Sequence, residues 1–159
     1  MELKEILDRN IIRVNLEANS KDDVLKKMSQ ILYENKYISD IDGFLKDIYL
    51  REKEGITGIG NGIAIPHGKS KSVKKIGVAI ANLKEEIDWE TLDGKKVKTI
   101  FLFCVNDDSN SDKVHLTLLS RIAAKLADDQ LLLKITNAKS TDEIVYYLSG
   151  DSSESHLFC

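Results

Sequence analysis

The sequence predicts an α/β domain: a single mixed β-sheet flanked by helices on both faces. Segments with apolar residues at helical spacing alternate along the chain with segments that have the apolar content of strands. The two strongest strand candidates are joined by a polar connection that contains the turn Asp93-Gly94, which is typical of a hairpin. Hairpin strands are antiparallel, whereas strands joined through helices are usually parallel, so the sheet is expected to be mixed.

The N-terminal third predicts helices with one extended segment between them. Residues 2–9 have the pattern of a short helix, and residues 10–16 that of an edge strand or a connector. Ser20 is expected to cap a longer helix, because apolar residues follow it at helical spacing. Asp40 is expected to cap the next helix, which ends in a charged tail closed by Gly55.

Two strands are predicted in the middle of the chain. In Lys75–Leu83 large apolar residues alternate with glycine and alanine, so the small face should lie against a closely packed helix. Val97–Val105 is continuously apolar after Thr99, which predicts a central strand covered on both faces. Cys104 lies within this strand and is expected to be an inert buried thiol.

The C-terminal part predicts three further helices. Asn106–Asp112 is polar and is expected to form a loop, with Ser111 or Asp112 capping a helix that runs to about Ala127. A short helix is predicted around residues 130–137.

The last helix is predicted by a capping box. The sequence Ser140-Thr141-Asp142-Glu143 opens it, and Gly150 ends it. Residues 3–150 are therefore expected to form one domain, and residues 151–159 a C-terminal tail.

Composition excludes several classes of function. The chain of 159 residues has a formal net charge of −3, which does not favour binding to nucleic acid. No apolar run approaches the roughly 20 residues that span a bilayer, and the N-terminus does not resemble a signal peptide, so no direct membrane insertion is expected. The two cysteines are Cys104, inside an apolar run, and Cys159, the last residue of the sequence. Cysteines so placed do not form a disulfide framework, which favours a reducing cytoplasmic location.

The segment from Gly58 to Lys69 is the most informative one. It contains four of the nine glycines, the one proline and one of the three histidines. We expect a flexible glycine loop that enters a packed apolar stretch and stops at Pro66. His67 would then stand on a defined backbone, with the small neighbour Gly68 leaving its face open for chemistry.

Three alternative site types fit this segment poorly. A dinucleotide-binding loop needs a strand before its glycines and a helix after them, and here the order is reversed. No histidine or cysteine pair has metal-ligand spacing, so neither a metal nor another cofactor is expected. No serine stands in the sharp glycine-flanked turn of a hydrolase nucleophile.

A histidine acting directly as a nucleophile remains. Neutral imidazole carries a free lone pair at cytoplasmic pH and can accept and release a phosphoryl group. Arg51 could hold phosphoryl oxygens in its planar fork, but its place at a helix end equally fits a simple C-terminal charge. His115 could donate to the same oxygens, or it could be a half-buried structural histidine, and spacing does not distinguish these roles. The lysines around Lys69 fit a solvated loop or a docking patch for an acidic partner.

A family resemblance adds to this interpretation. The run Arg-Glu-Lys-Glu-Gly-Ile-Thr-Gly-Ile-Gly-Asn-Gly-Ile-Ala-Ile-Pro-His-Gly, from Arg51 to Gly68, closely resembles the active-site region of the type-2 IIA component of the bacterial phosphoenolpyruvate-dependent sugar phosphotransferase system. That is the fructose and mannitol class, and it includes the nitrogen-regulatory IIA relatives. The resemblance extends over roughly residues 3–150.

The resemblance implies a function and a site. His67 would accept phosphate from phospho-HPr on Nε2 and pass it to a cysteine of a IIB component, which serves sugar uptake, of the fructose class, through a membrane IIC. Arg51 and His115 would support the phosphoryl group. Partners would dock weakly on an apolar surface, for which Ile59, Ile63 and Ile65 are candidates.

Two other functions stay open. One is a nitrogen-regulatory type of protein, in which the phosphorylation state of His67 controls contacts with protein partners. The other is a ligand-binding domain with a vestigial histidine.

Overall fold

The computed structural model describes residues 3–150, apart from the side chains of residues 109–111. The helices are α1 (Leu3–Ile6), a 3-10 turn (Arg9–Ile11), α2 (Lys21–Glu34), α3 (Ile41–Glu52), α4 (Ser109–Leu126), α5 (Asp129–Thr136) and α6 (Thr141–Ser149). The strands are β1 (Ile12–Leu16), β2 (Gly58–Gly60), β3 (Ile63–Ala64), β4 (His67–Lys69), β5 (Gly77–Ile87) and β6 (Val97–Val105). The predicted tail at residues 151–159 lies outside the described residues.

One mixed sheet organises these elements, as predicted. Its strand order is β1-β5-β6-β3-β2, and β4 also pairs with β6. The β5–β6 hairpin is antiparallel, whereas β1 runs parallel to β5, and β3 and β4 run parallel to β6. β6 is therefore the central strand, and β1 is the edge strand that the sequence allowed.

Helices cover both faces of the sheet, which confirms the predicted fold class. On one face, side chains of α2 and α3 pack on Ala79, Ala81 and neighbouring sheet residues. On the other face, side chains of α1, α4, α5 and α6 pack on residues that include Phe101 and Phe103. The small residues of β5 thus allow α2 and α3 to pack closely on the first face, as their alternation predicted.

Helix starts agree closely with the capping signals. The Ser20 hydroxyl accepts a hydrogen bond from the backbone N–H of Asp23 (3.1 Å), and the Ser140 hydroxyl accepts one from that of Glu143 (3.1 Å). The Glu143 carboxylate in turn accepts from the N–H of Lys139 at 2.6 Å. Asp40 occupies the N-cap position of α3, but its side chain makes no capping hydrogen bond.

Several element boundaries differ from the predictions. α4 begins at Ser109, so the predicted loop is shorter and neither Ser111 nor Asp112 is the cap. The first turn of α4 contains no apolar residue, which hides it from a periodicity argument. β5 begins at Gly77 and runs on to Ile87: residues 84–86 are charged and exposed, which hides the extension from an apolar pattern, but Ile87 is buried again and pairs with Val97.

The glycine segment is an ordered hairpin rather than a flexible loop. β2 and β3 pair antiparallel, with Gly60 opposite Ile63. The two residues between them, Asn61 and Gly62, have φ values of 56° and 79°, the positive values that a type I′ turn requires. The Asp93 carboxylate also accepts from the Asn61 backbone N–H at 3.0 Å, which ties this turn to the β5–β6 connection.

Candidate active site

The sheet positions His67 through two short strands on one edge of β6. β3 lies opposite Thr99 and Ile100, and β4 lies opposite residues 103–105, with His67 paired to Phe103. Ile65 and Pro66 separate β3 from β4. The Pro66 carbonyl still accepts a hydrogen bond from the Phe103 N–H of β6 at 3.0 Å. Pro66 supplies no N–H, so it fits the break between the two paired segments.

His67 and His115 lie side by side. Their ring centroids are 4.8 Å apart with the planes at 72°, and each centroid is 5.3 Å from that of Phe103. His67 comes from β4 and His115 from the second turn of α4, so the contact joins the sheet to the helix layer. The structure therefore brings together two histidines that are 48 residues apart in the sequence.

The His67 ring is more buried than the sequence suggested. The residue is 9% exposed, and Gly68 does not leave its face open. Instead, a Cβ on Gly68 would lie 2.2 Å from the Phe44 ring of α3, so glycine is needed for close packing on the opposite face of the sheet.

Each histidine has one sealed nitrogen with no hydrogen-bond partner among the described residues. These atoms are Nδ1 of His67 and Nε2 of His115. Buried polar atoms in folded proteins are usually hydrogen-bonded, so an orphaned nitrogen on each of two touching rings needs a functional or a structural explanation. With Nδ1 sealed, Nε2 is the nitrogen of His67 left for an incoming group.

Both imidazoles are held in the neutral form. Burial lowers the pKa of His67 to about 4, helped by the nearby His115 and Arg51, while the Ile65 backbone opposes the shift. Burial also lowers the pKa of His115, where Lys69 and Arg51 act in the same direction against Asp112. At neutral pH the His67 imidazole is therefore uncharged, with a lone pair on one ring nitrogen.

Arg51 supplies positive charge beside both rings. It lies at the end of α3, and its charge acts on His67 and on His115. Its one hydrogen bond among the described residues is a long contact of 3.4 Å from Nη1 to the Gly55 carbonyl, and no carboxylate of residues 3–150 pairs with it. The guanidinium thus keeps donors free for an anion.

Lys69 and Asp112 form an ion pair that the sequence analysis did not anticipate. Lys69 Nζ lies 2.6 Å from Asp112 Oδ1, and both side chains are about half exposed. The pair joins β4, two residues after His67, to the first turn of α4, three residues before His115. Only the fold brings these positions together, and their spacing of 43 residues gave no signal.

The predicted apolar patch is only partly at the surface. Ile63 belongs to the core at 1% exposure, Ile65 is partly buried, and Ile59 is 41% exposed. Two large apolar residues next in sequence to the site residues are also exposed, Leu50 beside Arg51 and Leu116 beside His115. Neither leucine was predicted to belong to the patch, because neither shares the buried stripe of its helix.

Other kinds of site have little support among residues 3–150. No group of three or more histidine, cysteine or acidic residues is arranged to hold a metal ion there. Cys104 is buried, and burial raises the pKa of its thiol to about 12. None of the helices described has the length and apolar character that crossing a membrane demands.

Comparison with known proteins decides the family. Residues 5–150 match the model of the phosphoenolpyruvate-dependent sugar phosphotransferase system, EIIA 2. The chain belongs to this family. Its match covers all of the secondary structure from β1 to α6 together with the histidine pair, so the resemblance of the segment from Arg51 to Gly68 extends to the whole EIIA fold.

Relatives within the EIIA family include both transport and regulatory proteins. The fructose-like EIIA component of Escherichia coli K12 is 31% identical over 143 residues, covering 90% of this chain and 95% of that protein. The nitrogen regulatory protein of the same organism is 33% identical over 154 residues, covering 96% and 91%. The crystal structure of nitrogen regulatory protein IIA-Ntr from Neisseria meningitidis superposes with a TM-score of 0.81, at 29% identity over 91% and 97% of the two chains.

Longer members of the EIIA family contain further components. The chain is 30% identical to the 2-O-alpha-mannosyl-D-glycerate-specific EIIABC component of E. coli K12 and 32% identical to the fructose-specific EIIABC component of Bacillus subtilis, over 145 residues in each case. It spans 22% of the length of each of these relatives.

Proposed function

We propose that this EIIA protein is a phosphoryl carrier whose phosphate is held on Nε2 of His67. The observation that carries the proposal is the contact between two neutral histidines beside an arginine that has no carboxylate partner among residues 3–150. This arrangement offers a nucleophile, a second imidazole and a cation within one site. A purely structural histidine pair would not require the unpaired guanidinium.

The transfer needs no cofactor. The Nε2 lone pair of His67 attacks the phosphorus of a phosphohistidine on the donor HPr, and the donor's P–N bond breaks as the new P–N bond forms. The donor imidazole leaves with the electron pair of its broken bond. In the second half-reaction a cysteine thiolate of a IIB component attacks the same phosphorus, and His67 leaves as neutral imidazole. Bonds of similar energy are exchanged, so the site mainly has to orient the group and balance its charge.

Arg51 and His115 are the supports of the phosphoryl group in this proposal. Arg51 can present two parallel N–H donors to two phosphoryl oxygens, a geometry that favours guanidinium over ammonium. The His115 ring lies against that of His67, with centroids 4.8 Å apart, so a ring N–H of His115 is close enough to support a phosphoryl oxygen. Because the Arg51 side chain has only the long contact to the Gly55 carbonyl, phosphate competes with few existing hydrogen bonds there.

We assign the protein to sugar uptake of the fructose class in the cytoplasm, with HPr as donor, a IIB protein as acceptor and a membrane IIC as indirect partner. The EIIABC relatives, in which the A component is joined to B and C components, support this assignment. A regulatory function of the nitrogen type is the second candidate, supported by 33% identity over nearly the full length of both chains. Transfer of phosphate to IIB distinguishes the two functions.

The proposal is tested by labelling with radioactive phosphoenolpyruvate in the presence of enzyme I and HPr. We expect an acid-labile, base-stable phosphate on the wild-type protein and no label on His67→Ala. His156→Ala, which alters a histidine of the C-terminal tail, is the matched control and should be labelled normally. Label of undiminished amount on folded His67→Ala would refute the proposal.

A further inference from the structure

A buried ion pair lies behind Arg51. Lys21 Nζ is 2.6 Å from Glu52 Oε1, and the two side chains are 17% and 9% exposed. The same ammonium lies 3.1 Å from the exposed Glu90 carboxylate and 4.9 Å from the centroid of the Trp89 ring. This group connects the start of α2, the end of α3 and the β5–β6 connection.

Helix electrostatics do not explain these charges. Lys21 is the first residue of α2, where the positive end of the helix dipole disfavours a cation. Glu52 is the last residue of α3, where the negative end disfavours an anion. Glu52 Oε2 is also sealed without a hydrogen-bond partner among the described residues. Burial alone would lower the pKa of Lys21, but its bonds to Glu52 and Glu90 raise that pKa overall, so the pair favours packing of the end of α3 against the start of α2.

The last turn of α3 has few contacts that hold it in position. Ile48 is the last fully buried residue of the helix, and Leu50 is 51% exposed. Beyond Ile48, Tyr49 still packs partly on the core and its hydroxyl donates to Asp22, while Glu52 binds Lys21. Arg51 has no anchor of its own apart from the long contact to the Gly55 carbonyl.

The same cluster also reaches the backbone that leads to His67. Trp89 Nε1 donates to the Thr57 hydroxyl at 3.2 Å, and the Thr57 carbonyl accepts from the Ile65 N–H at 2.9 Å. Pro66 follows Ile65 directly. The cluster therefore holds the chain on both sides of the candidate site, at Arg51 through Glu52 and before His67 through Trp89.

We infer that Glu52, held by Lys21, is a positioning residue that orients Arg51 towards the two histidines. The inference rests on the proposed phosphoryl transfer for its functional meaning. Glu52 does not touch the reacting atoms. It fixes the rotation of the final turn of α3, so that the adjacent guanidinium is directed towards His67 and His115 before phosphate arrives.

Replacing Glu52 by alanine tests the inference in two ways. The rate of transfer from phospho-HPr to Glu52→Ala should fall about tenfold, a size typical of residues that orient a functional side chain. The pKa of His67, followed by NMR titration of its ring nitrogens, should rise slightly and stay below its ordinary value, because burial and His115 still lower it when a displaced Arg51 no longer opposes protonation. Loss of the Glu52 negative charge by itself could only lower the pKa of a nearby imidazole, so a rise reports displacement of Arg51.

Controls separate positioning from general damage. Glu52→Gln keeps an acceptor oxygen for Lys21 and should restore much of the rate and of the His67 pKa. Glu54→Ala, at an exposed position two residues further on, should leave both unchanged. In an Arg51→Ala background, Glu52→Ala should cause no further rise in the His67 pKa. If Glu52→Ala does not fold, the double variant Lys21→Met/Glu52→Met removes both charges while filling the space.

The outcomes are distinguishable from a failure of the proposed function. A folded Glu52→Ala protein with the wild-type rate and the wild-type His67 pKa would overturn the inference. If the wild-type protein accepts no phosphate, the proposed function fails, but the His67 titration still decides whether Glu52 positions Arg51.

Discussion

At the scale of single residues, missing atoms and missing partners characterise the surroundings of His67. Gly68 has no Cβ, which lets Phe44 lie against the β4 backbone. Arg51 has no carboxylate partner among residues 3–150, which leaves its donors available. The two histidines lack a partner for one nitrogen each. The candidate site thus combines tight packing around the β4 backbone with unused hydrogen-bonding capacity on its polar side chains.

Gly68→Ala should destabilise the protein. The added methyl group would lie 2.2 Å from the Phe44 ring, so the ring or β4 must move. Overpacking of this kind usually costs about 1–3 kcal/mol of the free energy of unfolding, which urea denaturation measures. Adding Phe44→Leu should recover part of the loss by making space. Equal stability of Gly68→Ala and the wild type would contradict the packing role assigned to this glycine.

The sequence identified the candidate residues of the site, but it did not predict their surroundings. A histidine between proline and glycine indicated His67, and the family resemblance indicated Arg51 and His115. The burial of His67 was not predictable, because it depends on β6 and α4, which are distant in sequence. The Lys69–Asp112 pair and the Lys21–Glu52 pair were not recognised for the same reason.

At the scale of elements, the β2–β3 hairpin sets the path of the chain into the site. Its two-residue turn reverses the chain after Gly60, and β3 then follows β6 in parallel towards Pro66. Asn61-Gly62 is a strong hairpin signal in a sequence. The flanking Gly58–Gly60 lacks the alternating apolar residues of a strand, so the sequence favoured a flexible loop here.

The turn provides a prediction at this scale. Gly62→Ala should reduce stability by about 1–2 kcal/mol, because residues other than glycine are strained at positive φ. The nearest atoms to an added Cβ are 3.9 Å away, so the cost is one of backbone conformation and not of collision. Gly62→Asn should lose less, since asparagine tolerates this region. Urea denaturation of the three proteins provides the comparison, and a loss as large for Asn as for Ala would argue against the turn type.

At the scale of the whole molecule, one sheet separates two helical layers that serve different purposes. α2 and α3 carry Arg51 and the Lys21–Glu52 pair, while α4 carries His115. His67 lies on the strand between them, so all parts of the site meet only when both layers are packed. The alternation of segments in the sequence predicted this layering. It did not predict where α4 begins or where β5 ends, because the first residues of α4 are polar and those just before Ile87 are charged, so neither stretch gives an apolar pattern.

Stability should decrease in acid because of the buried histidines. The folded pKa of His67 is lowered to about 4 from 6.5, so between these values the unfolded chain binds a proton that the folded chain does not. The free energy of unfolding is therefore higher above pH 6.5 and falls as the pH drops towards 4. Between pH 7 and pH 5 His67 alone should cost about 2 kcal/mol.

Urea denaturation at the two pH values measures this effect. His67→Gln should lose about 2 kcal/mol less than the wild type between pH 7 and pH 5, because glutamine does not titrate. His156→Gln should behave like the wild type. An equal acid dependence for the wild type and His67→Gln would show that the His67 pKa is not lowered in the folded protein.

The opposite orientation of neighbouring residues in β4 restricts insertions and deletions. His67 faces α4 and Gly68 faces α3, and a strand exchanges its two faces when its register moves by one residue. Adding or removing a single residue between Ile63 and His67 would turn the imidazole into the wrong layer and force a side chain against Phe44. The number of residues from the Asn61-Gly62 turn to the histidine therefore has to stay the same if His67 is to face α4.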